Sequence, residues 1–230
     1  AGVPGRSRRA GRATSRPSRL FREAPRRSAA ASARRRRRAA LLSLPRDPFD
    51  GLVLATSNPD KAREAARLLG RELPARAVDL PEIQSLSFEE VARAKAIAAA
   101  KLLGVPVLVE DSGLVVAAWG GFPGPLTKWL TMGSVGNEGL AQMLDAFGDR
   151  RATAVAVVAL ARPGSADVLL ARGETPGSIA FAPRGANGFG WDVIFVPEGE
   201  RRTFAEMRHD EKDAVSHRSR AFAALKAVLS

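Results

Sequence analysis

Apolar and polar positions follow two regimes along the chain. Before about residue 46 they show no period; from Phe49 onward, short apolar runs alternate with helical ones. Gly51-Leu52-Val53-Leu54-Ala55 reads as a buried strand. Thr56-Ser57-Asn58-Pro59 breaks it, with Asn58 as an N-cap and Pro59 as the first helical residue. Ala62, Ala65, Ala66, Leu68 and Leu69 fall at helical spacing, and Gly70 stops that helix. A second, alanine-rich helix spans Phe88 to Leu103 and closes at Gly104. Val105 to Val109 predicts another buried strand, running out into Glu110-Asp111-Ser112-Gly113. Beyond Arg151, strands are expected over 152–161 and 168–171, joined by the turn Arg162-Pro163-Gly164, with two more over 178–181 and 193–196. Asp210 to Leu229 reads as one amphipathic helix with Val215, Phe222, Leu225 and Leu229 on one face. Strands alternating with helices, then a run of strands, then a helix, predict a mixed α/β domain.

Charge separates the same two regimes. Residues 1–46 carry fifteen arginines against the single acid Glu23, whereas the remaining 184 residues carry 21 basic and 23 acidic groups. The formal charge of +12 therefore describes the first segment and not the body. An arginine-rich stretch without apolar period cannot offset the entropy of ordering itself, so a disordered extension is expected over 1–46 and a folded domain over 47–230. An organelle transit peptide and a non-specific nucleic-acid-binding arm are the competing readings of that extension. The absence of cysteine excludes disulfides, thiolate metal sites and cysteine nucleophiles, and two histidines, His209 and His217, exclude a multi-histidine metal centre. No apolar run approaches the ~20 residues that span a bilayer, so no membrane partner is expected.

Four polar clusters fall at element ends, where α/β proteins place their ligands. In Thr56-Ser57-Asn58-Pro59-Asp60-Lys61, helix-terminal N–H groups and a lysine in the first turn suit a phosphate, although the glycines of a Walker loop are missing. Glu110-Asp111 ends an apolar run; adjacent acids there must be paired or hold a cation, and carboxylate oxygens suit Mg²⁺. Phe189-Gly190-Trp191-Asp192 offers either aromatic faces for a planar ring or a tight turn on a core tryptophan. Lys212 with Ser216-His217-Arg218 offers donors for a carbonyl, or a solvated helix face.

Taken in order, Thr56-x-Asn58-x-x-Lys61, Glu110-Asp111-Ser112-Gly113-Leu114, Gly120-Gly121-x-Pro123-Gly124, Phe189-Gly190-Trp191-Asp192 and Ser216-His217-Arg218 resemble the inosine triphosphate pyrophosphatase family, from about Leu52 to Leu229. The resemblance implies an elongated mixed α/β domain: a long central sheet with flanking helices, two lobes around a nucleotide cleft, commonly a homodimer. It also implies Mg²⁺-dependent attack of water on the α-phosphorus of ITP, dITP or XTP, giving monophosphate and pyrophosphate and cleansing the nucleotide pool of non-standard purines. By this similarity Thr56 to Lys61 and Lys95 hold the triphosphate with Ser112 beside it. Asp111 is general base and metal ligand, and Glu82 is the second metal carboxylate, with Glu89 and Glu90 as nearby alternatives. Phe189, Gly190, Trp191 and Asp192 form the base pocket, whose edge Lys212, His217 and Arg218 read. A cytoplasmic enzyme is implied, or an organellar one if residues 1–46 are a transit peptide.

Three positions depart from the family pattern. Val91 replaces an asparagine, Val193 stands where a proline usually follows the aspartate and is expected to loosen the aromatic turn, and Ser57 replaces a glycine in the phosphate loop. None removes a catalytic group. The reading from another class is a nucleic-acid-binding protein acting through the arginine-rich segment, with an inert nucleotidase-like body.

Overall fold

The structure, a computed structural model, describes residues 47–230. The expectations for residues 1–46 lie outside the described residues. The described chain forms β1 (Val53–Ala55), α1 (Pro59–Leu69), β2 (Ala75–Arg76), α2 (Phe88–Leu103), β3 (Val107–Val116) and β4 (Pro123–Gly124). Helices α3 (Thr127–Gly133) and α4 (Gly136–Met143) follow, then β5 (Arg151–Ala161), β6 (Val168–Ile179), β7 (Phe195–Pro197), α5 (His209–Val215) and α6 (His217–Leu229). The seven strands make one sheet in the order β2-β1-β3-β5-β6-β7, with β4 also paired to β3. Pairing of β1 with β2 and β3 is parallel; β3, β5, β6 and β7 are antiparallel. The expected mixed α/β class is what the chain adopts.

Core side chains cover both faces of the sheet, as strand alternation requires. On one face Leu54, Leu108, Ala156 and Val158 pack with Ala65 of α1 and with Phe222 and Leu225 of α6. On the other, Val107, Val109, Val155 and Val157 meet Phe88, Ala92, Ala96 and Ala99 of α2. The three alanines have no exposed surface, and their small size lets α2 close onto the strands. Each fully buried Leu, Val or Phe contributes roughly 1.5–3 kcal/mol against exposure.

Four elements differ from the sequence expectation. Strand β3 does not end before Glu110 but continues through Glu110, Asp111 and Ser112 to Val116, because β5 pairs with it residue for residue from Val107 to Val116. The strands expected over 168–171 and 178–181 are one strand, β6. Its inward residues Ala171, Gly173 and Thr175 are buried while Arg172, Glu174 and Pro176 face out, a period of two that the glycines and proline obscure. Residues 193–196 divide into a 3₁₀ turn, Gly190–Val193, and β7. The last helix breaks at Ser216, whose hydroxyl caps α6 by accepting from Ser219 N at 3.1 Å.

Strand β5 occupies one edge of β3 along its whole length, so β1 and β4 share the other. On that edge β1 reaches only Leu108, and β4 begins only at Leu114. Residues 109–113 therefore face a gap in the sheet, at the carboxyl end of the parallel strand β1. The far rim of the gap is held by Thr127, buried at the start of α3: its Oγ1 accepts from Leu114 N (2.8 Å) and donates to Gly124 O (2.7 Å). Gly113 makes this approach possible, since a Cβ there would lie 2.2 Å from Gly124 O and 2.7 Å from Thr127 Oγ1. Gly113→Ala is expected to cost about 1–3 kcal/mol by overpacking. Thermal unfolding should report a midpoint lowered by several degrees, and an unchanged midpoint would mean the rim yields without strain.

Candidate active site

Opposite ends of the phosphate-friendly loop are fixed by ordinary helix capping. Asn58 Oδ1 accepts from Asp60 N (2.8 Å) and Lys61 N (3.4 Å), and Thr56 Oγ1 accepts from Asn58 N (3.1 Å). Ser57 and Pro59 are exposed, and Asp60 pairs with Arg63 at the surface. Lys61, one turn into α1, reaches the gap in the sheet: its Nζ lies 2.8 Å from Glu110 Oε2 and donates to Glu110 O at 3.3 Å. Thr56, Lys61, Glu110 and Arg218 line a small pocket floored by Leu54, Ala65 and Phe222.

Because neighbouring strand residues point to opposite faces, the acids Glu110 and Asp111 do not share a partner. Glu110 and Ser112 face α1 and α6. Arg218 Nη2 donates to Glu110 Oε1 (3.2 Å) and to Ser112 Oγ (3.4 Å). Asp111 faces α2, where Lys95 Nζ donates to its Oδ1 at 2.8 Å. The same ammonium pairs with Glu82 Oε1, also at 2.8 Å. Glu89 instead pairs with Arg172, and Glu90 accepts from Ser85. Of the three candidate glutamates, Glu82 is the one joined to Asp111 through Lys95. Trp129 Nε1 donates to its other oxygen at 3.3 Å.

The other end of the site is built by Phe189 to Asp192 and the α5–α6 junction. Asp192 Oδ2 accepts from Phe189 N (2.8 Å) and from Lys212 Nζ (2.6 Å), which closes the turn with Val193 in place. Gly190 has φ +60°, a conformation that favours glycine. The Phe189 ring lies 5.2 Å from Lys212 Nζ and 5.1 Å from Arg218 Cζ. Trp191 is spent differently, on packing against His217 (5.1 Å) and Phe195 (5.9 Å). The cluster Lys212, Ser216, His217 and Arg218 is buried, which removes the solvated-face reading.

Sequence reasoning missed Glu64, the hub of the arrangement. Its Oε1 accepts from Lys212 Nζ at 2.7 Å, and its Oε2 pairs with Arg218. A signal was present: Lys61, Glu64, Ala65 and Leu68 share one helical face, and a carboxylate on an apolar face needs a cation. Glu64 joins the two ends of the site, running from Lys61 through Glu110, Arg218 and Glu64 to Lys212 and Asp192.

Three carboxylates and three cations balance along that chain. Burial opposes the charge on Glu64 and Glu110, but Arg218 leads the cations that outweigh it, with Lys212 at Glu64 and Lys61 at Glu110, and both are held below the ordinary glutamate range. Burial likewise opposes the Arg218 charge, and Glu110 and Glu64 hold it firmly on. At Asp111 burial wins over Lys95 and Lys61 and pushes the carboxyl up; at Asp192 it wins over Lys212. Burial, then the Arg218 charge, keeps His217 well below its usual value, so the imidazole is neutral.

The second cluster is not balanced. One ammonium, Lys95, serves two carboxylates, and Asp111 Oδ2 is buried without a hydrogen-bond partner. A divalent cation fits this donor set: hard oxygen ligands, an orphaned carboxylate oxygen and a surplus negative charge. No group of three His, Cys, Asp or Glu gathers among the described residues. At the opposite end, Arg218 Nε and both His217 nitrogens are buried and unpartnered. Such groups cost about 1–3 kcal/mol each when left unsatisfied and commonly mark a place where another molecule bonds.

The site lies in the gap of a mixed α/β sheet, and comparison with known proteins gives the family of the chain. The Ham1 family profile matches residues 52–228. The inosine triphosphate pyrophosphatase of Yarrowia lipolytica is 46% identical over 182 residues, 78% of this chain and 95% of that protein. The dITP/XTP pyrophosphatase of Methanopyrus kandleri is 44% identical over 173 residues, covering 74% and 91%. Among solved structures, a HAM1 protein from Coxiella burnetii superposes with TM-score 0.65 at 35% identity, covering 77% of this chain and 97% of that one. The chain belongs to the Ham1 family. No helix among the described residues is long and apolar enough to cross a membrane.

Glu64 tests the buried network through pH. A carboxyl whose folded pKa is lowered adds stability above its unfolded value, here the ordinary 4.5, and loses it as pH falls through the folded one. The thermal midpoint should therefore decline below that pH, and Glu64→Gln should flatten the decline while costing about 3–5 kcal/mol at neutral pH. An acid limb equally steep in the variant would remove Glu64 from this role.

Proposed function

We propose that this Ham1-family pyrophosphatase hydrolyses non-standard purine nucleoside triphosphates, ITP, dITP and XTP, to the monophosphate and pyrophosphate with Mg²⁺. The observation that carries the reading is the continuity of the two ends. A lysine-lined anion site with an unbalanced carboxylate pair joins, through Arg218, an aromatic slot with unsatisfied donors. In the proposed pose the triphosphate lies along Lys61 and Lys95, with Ser112 and the N–H groups after Thr56 beside it. Asn58 spends its oxygen on the helix cap, so its amide nitrogen is the atom it has to offer. Asp111 and Glu82 would hold the metal, which, when bound, supplies positive charge to the phosphoryl oxygens. Asp111, its carboxyl pushed up by burial, takes the proton of the attacking water; Lys61 and Lys95 offset charge that builds on the leaving pyrophosphate.

Discrimination against adenine follows from the unpaired donors. The Phe189 face takes the purine ring. Arg218 Nε donates only, and neutral His217 offers one donor and one acceptor. A 6-oxo group accepts from Arg218 Nε and from the His217 N–H, whereas the 6-amino group of adenine would set donor against donor at Arg218, which makes Arg218 the discriminating group. Homodimer formation and a role in cleansing the nucleotide pool belong to the same proposal.

Pyrophosphate release from a panel of nucleoside triphosphates, with and without Mg²⁺, tests it. Hydrolysis of ITP, dITP and XTP well above ATP and GTP, abolished by chelation, is expected; equal rates on all five would overturn the substrate assignment. Asp111→Asn should lower turnover on ITP by about 10²-fold or more while triphosphate binding survives. Arg218→Ala should erode the preference for ITP over ATP more than it slows ITP itself, and an unchanged preference would mean the base edge is read elsewhere.

A further inference from the structure

The base-reading side chains sit on a helix start that something must hold in place, and the strand beneath it does so by lacking a side chain. Gly173, buried in the middle of β6, faces the first turn of α6. A Cβ built on it would lie 2.2 Å from His217 O, 2.2 Å from Ala221 N and 2.8 Å from Arg220 C, all backbone atoms that no rotamer change can move. Its φ is not in the left-handed region, so close approach and not backbone conformation is what glycine supplies here. Across the sheet Gly173 pairs with Ala156, and Ala156 with Ser112. This low row of side chains lets α6 settle on the sheet and carries Arg218 across to Ser112 and Glu110.

Two residues along the same face of β6, buried Thr175 donates from Oγ1 to Val215 O at 2.7 Å, holding the last residue of α5. Arg220 Nη1 donates to Glu174 O at 2.6 Å between them. Lys212 lies on α5, and His217 and Arg218 open α6, so both sets of base-edge groups hang on a junction seated by Gly173 and Thr175.

We infer that Gly173 and Thr175 are positioning residues for base selection: they fix the α5–α6 junction and thereby the discrimination between 6-oxo and 6-amino purines, without touching substrate. The inference rests on the substrate reading above. Opening contacts of 2.2 Å to van der Waals distance moves the junction by about 1 Å, a displacement that can cost on the order of 10²-fold at a site. At the phosphate end Lys95 and Asp111, held together on the α2 face of β3, share no ion pair with the junction and are the groups least disturbed.

The test measures binding and turnover separately in the full chain. Calorimetric affinities for inosine monophosphate and for inorganic tripolyphosphate are compared between wild type, Gly173→Ala and Thr175→Val, alongside kcat and KM for ITP and ATP. Expected are monophosphate binding weakened roughly tenfold or more in Gly173→Ala, tripolyphosphate binding within about twofold, and a reduced ITP-to-ATP ratio of kcat/KM expressed mainly in KM. Thr175→Val, nearly isosteric, should shift the ratio in the same direction and decides the matter if Gly173→Ala does not fold. Equal loss of monophosphate and tripolyphosphate binding, or an unaltered ratio in a folded variant, would overturn the positioning role while leaving the substrate reading intact. A wild-type protein that hydrolyses no ITP would overturn the substrate reading and the inference together.

Discussion

Glu64, Glu110 and Asp192 are almost wholly buried, and that is tolerable only because Lys61, Lys212 and Arg218 are gathered with them. This balanced set of charges is the constraint on which the site depends. It ties α1, β3, the turn after Phe189 and the α5–α6 junction to each other, so none can shift without leaving a buried charge unpaired. It also commits most of the guanidinium of Arg218 to the protein, which leaves Nε and the neutral His217 as the unpaired groups.

The sheet supplies the opening in which that network ends. A complete β1 would have covered the edge of β3; instead the strand stops after three residues and the chain turns into a capped helix. Lys61 can then reach Glu110 over the edge while Lys95 reaches Asp111 from the opposite face. Consecutive acids on one strand thus serve different purposes: Glu110 is locked in a balanced network, and Asp111 keeps an unpartnered oxygen beside one overcommitted ammonium. The contrast fits a fixed scaffold on one face and a cation-binding group on the other.

Local signals were strong where chemistry is local. Asn58-Pro59 and Gly70 bound α1, and the alanine period of α2 with Gly104 is as expected, since caps and helical spacing act within a few residues. What the sequence hid depends on distant partners. Glu110-Asp111 looked like a strand end because acids rarely sit mid-strand, yet the β5 ladder carries the strand through them. Gly173 and Pro176 fall between the two strands expected over 168–171 and 178–181; in β6 one is a close approach to α6, and the carbonyl of the other accepts from Glu198 beyond the short β7 ladder. Glu64 drew no reading from the sequence, and its importance emerges only when Lys212 and Arg218, some 150 residues later, fold against it. The short β2 and β4, and helices α3 and α4, have too few periodic positions to stand out.

The central claim is spatial: one nucleotide bridges the carboxylate–lysine cluster and the aromatic slot. Diffraction from crystals holding a non-hydrolysable ITP analogue with Mg²⁺ examines it directly. The expected density has the metal on Asp111 Oδ2, the phosphates between Lys61 and Lys95, and hypoxanthine on Phe189 within hydrogen-bonding reach of Arg218 and His217. A nucleotide bound outside the gap in the sheet, or one whose base points away from Phe189, would contradict it.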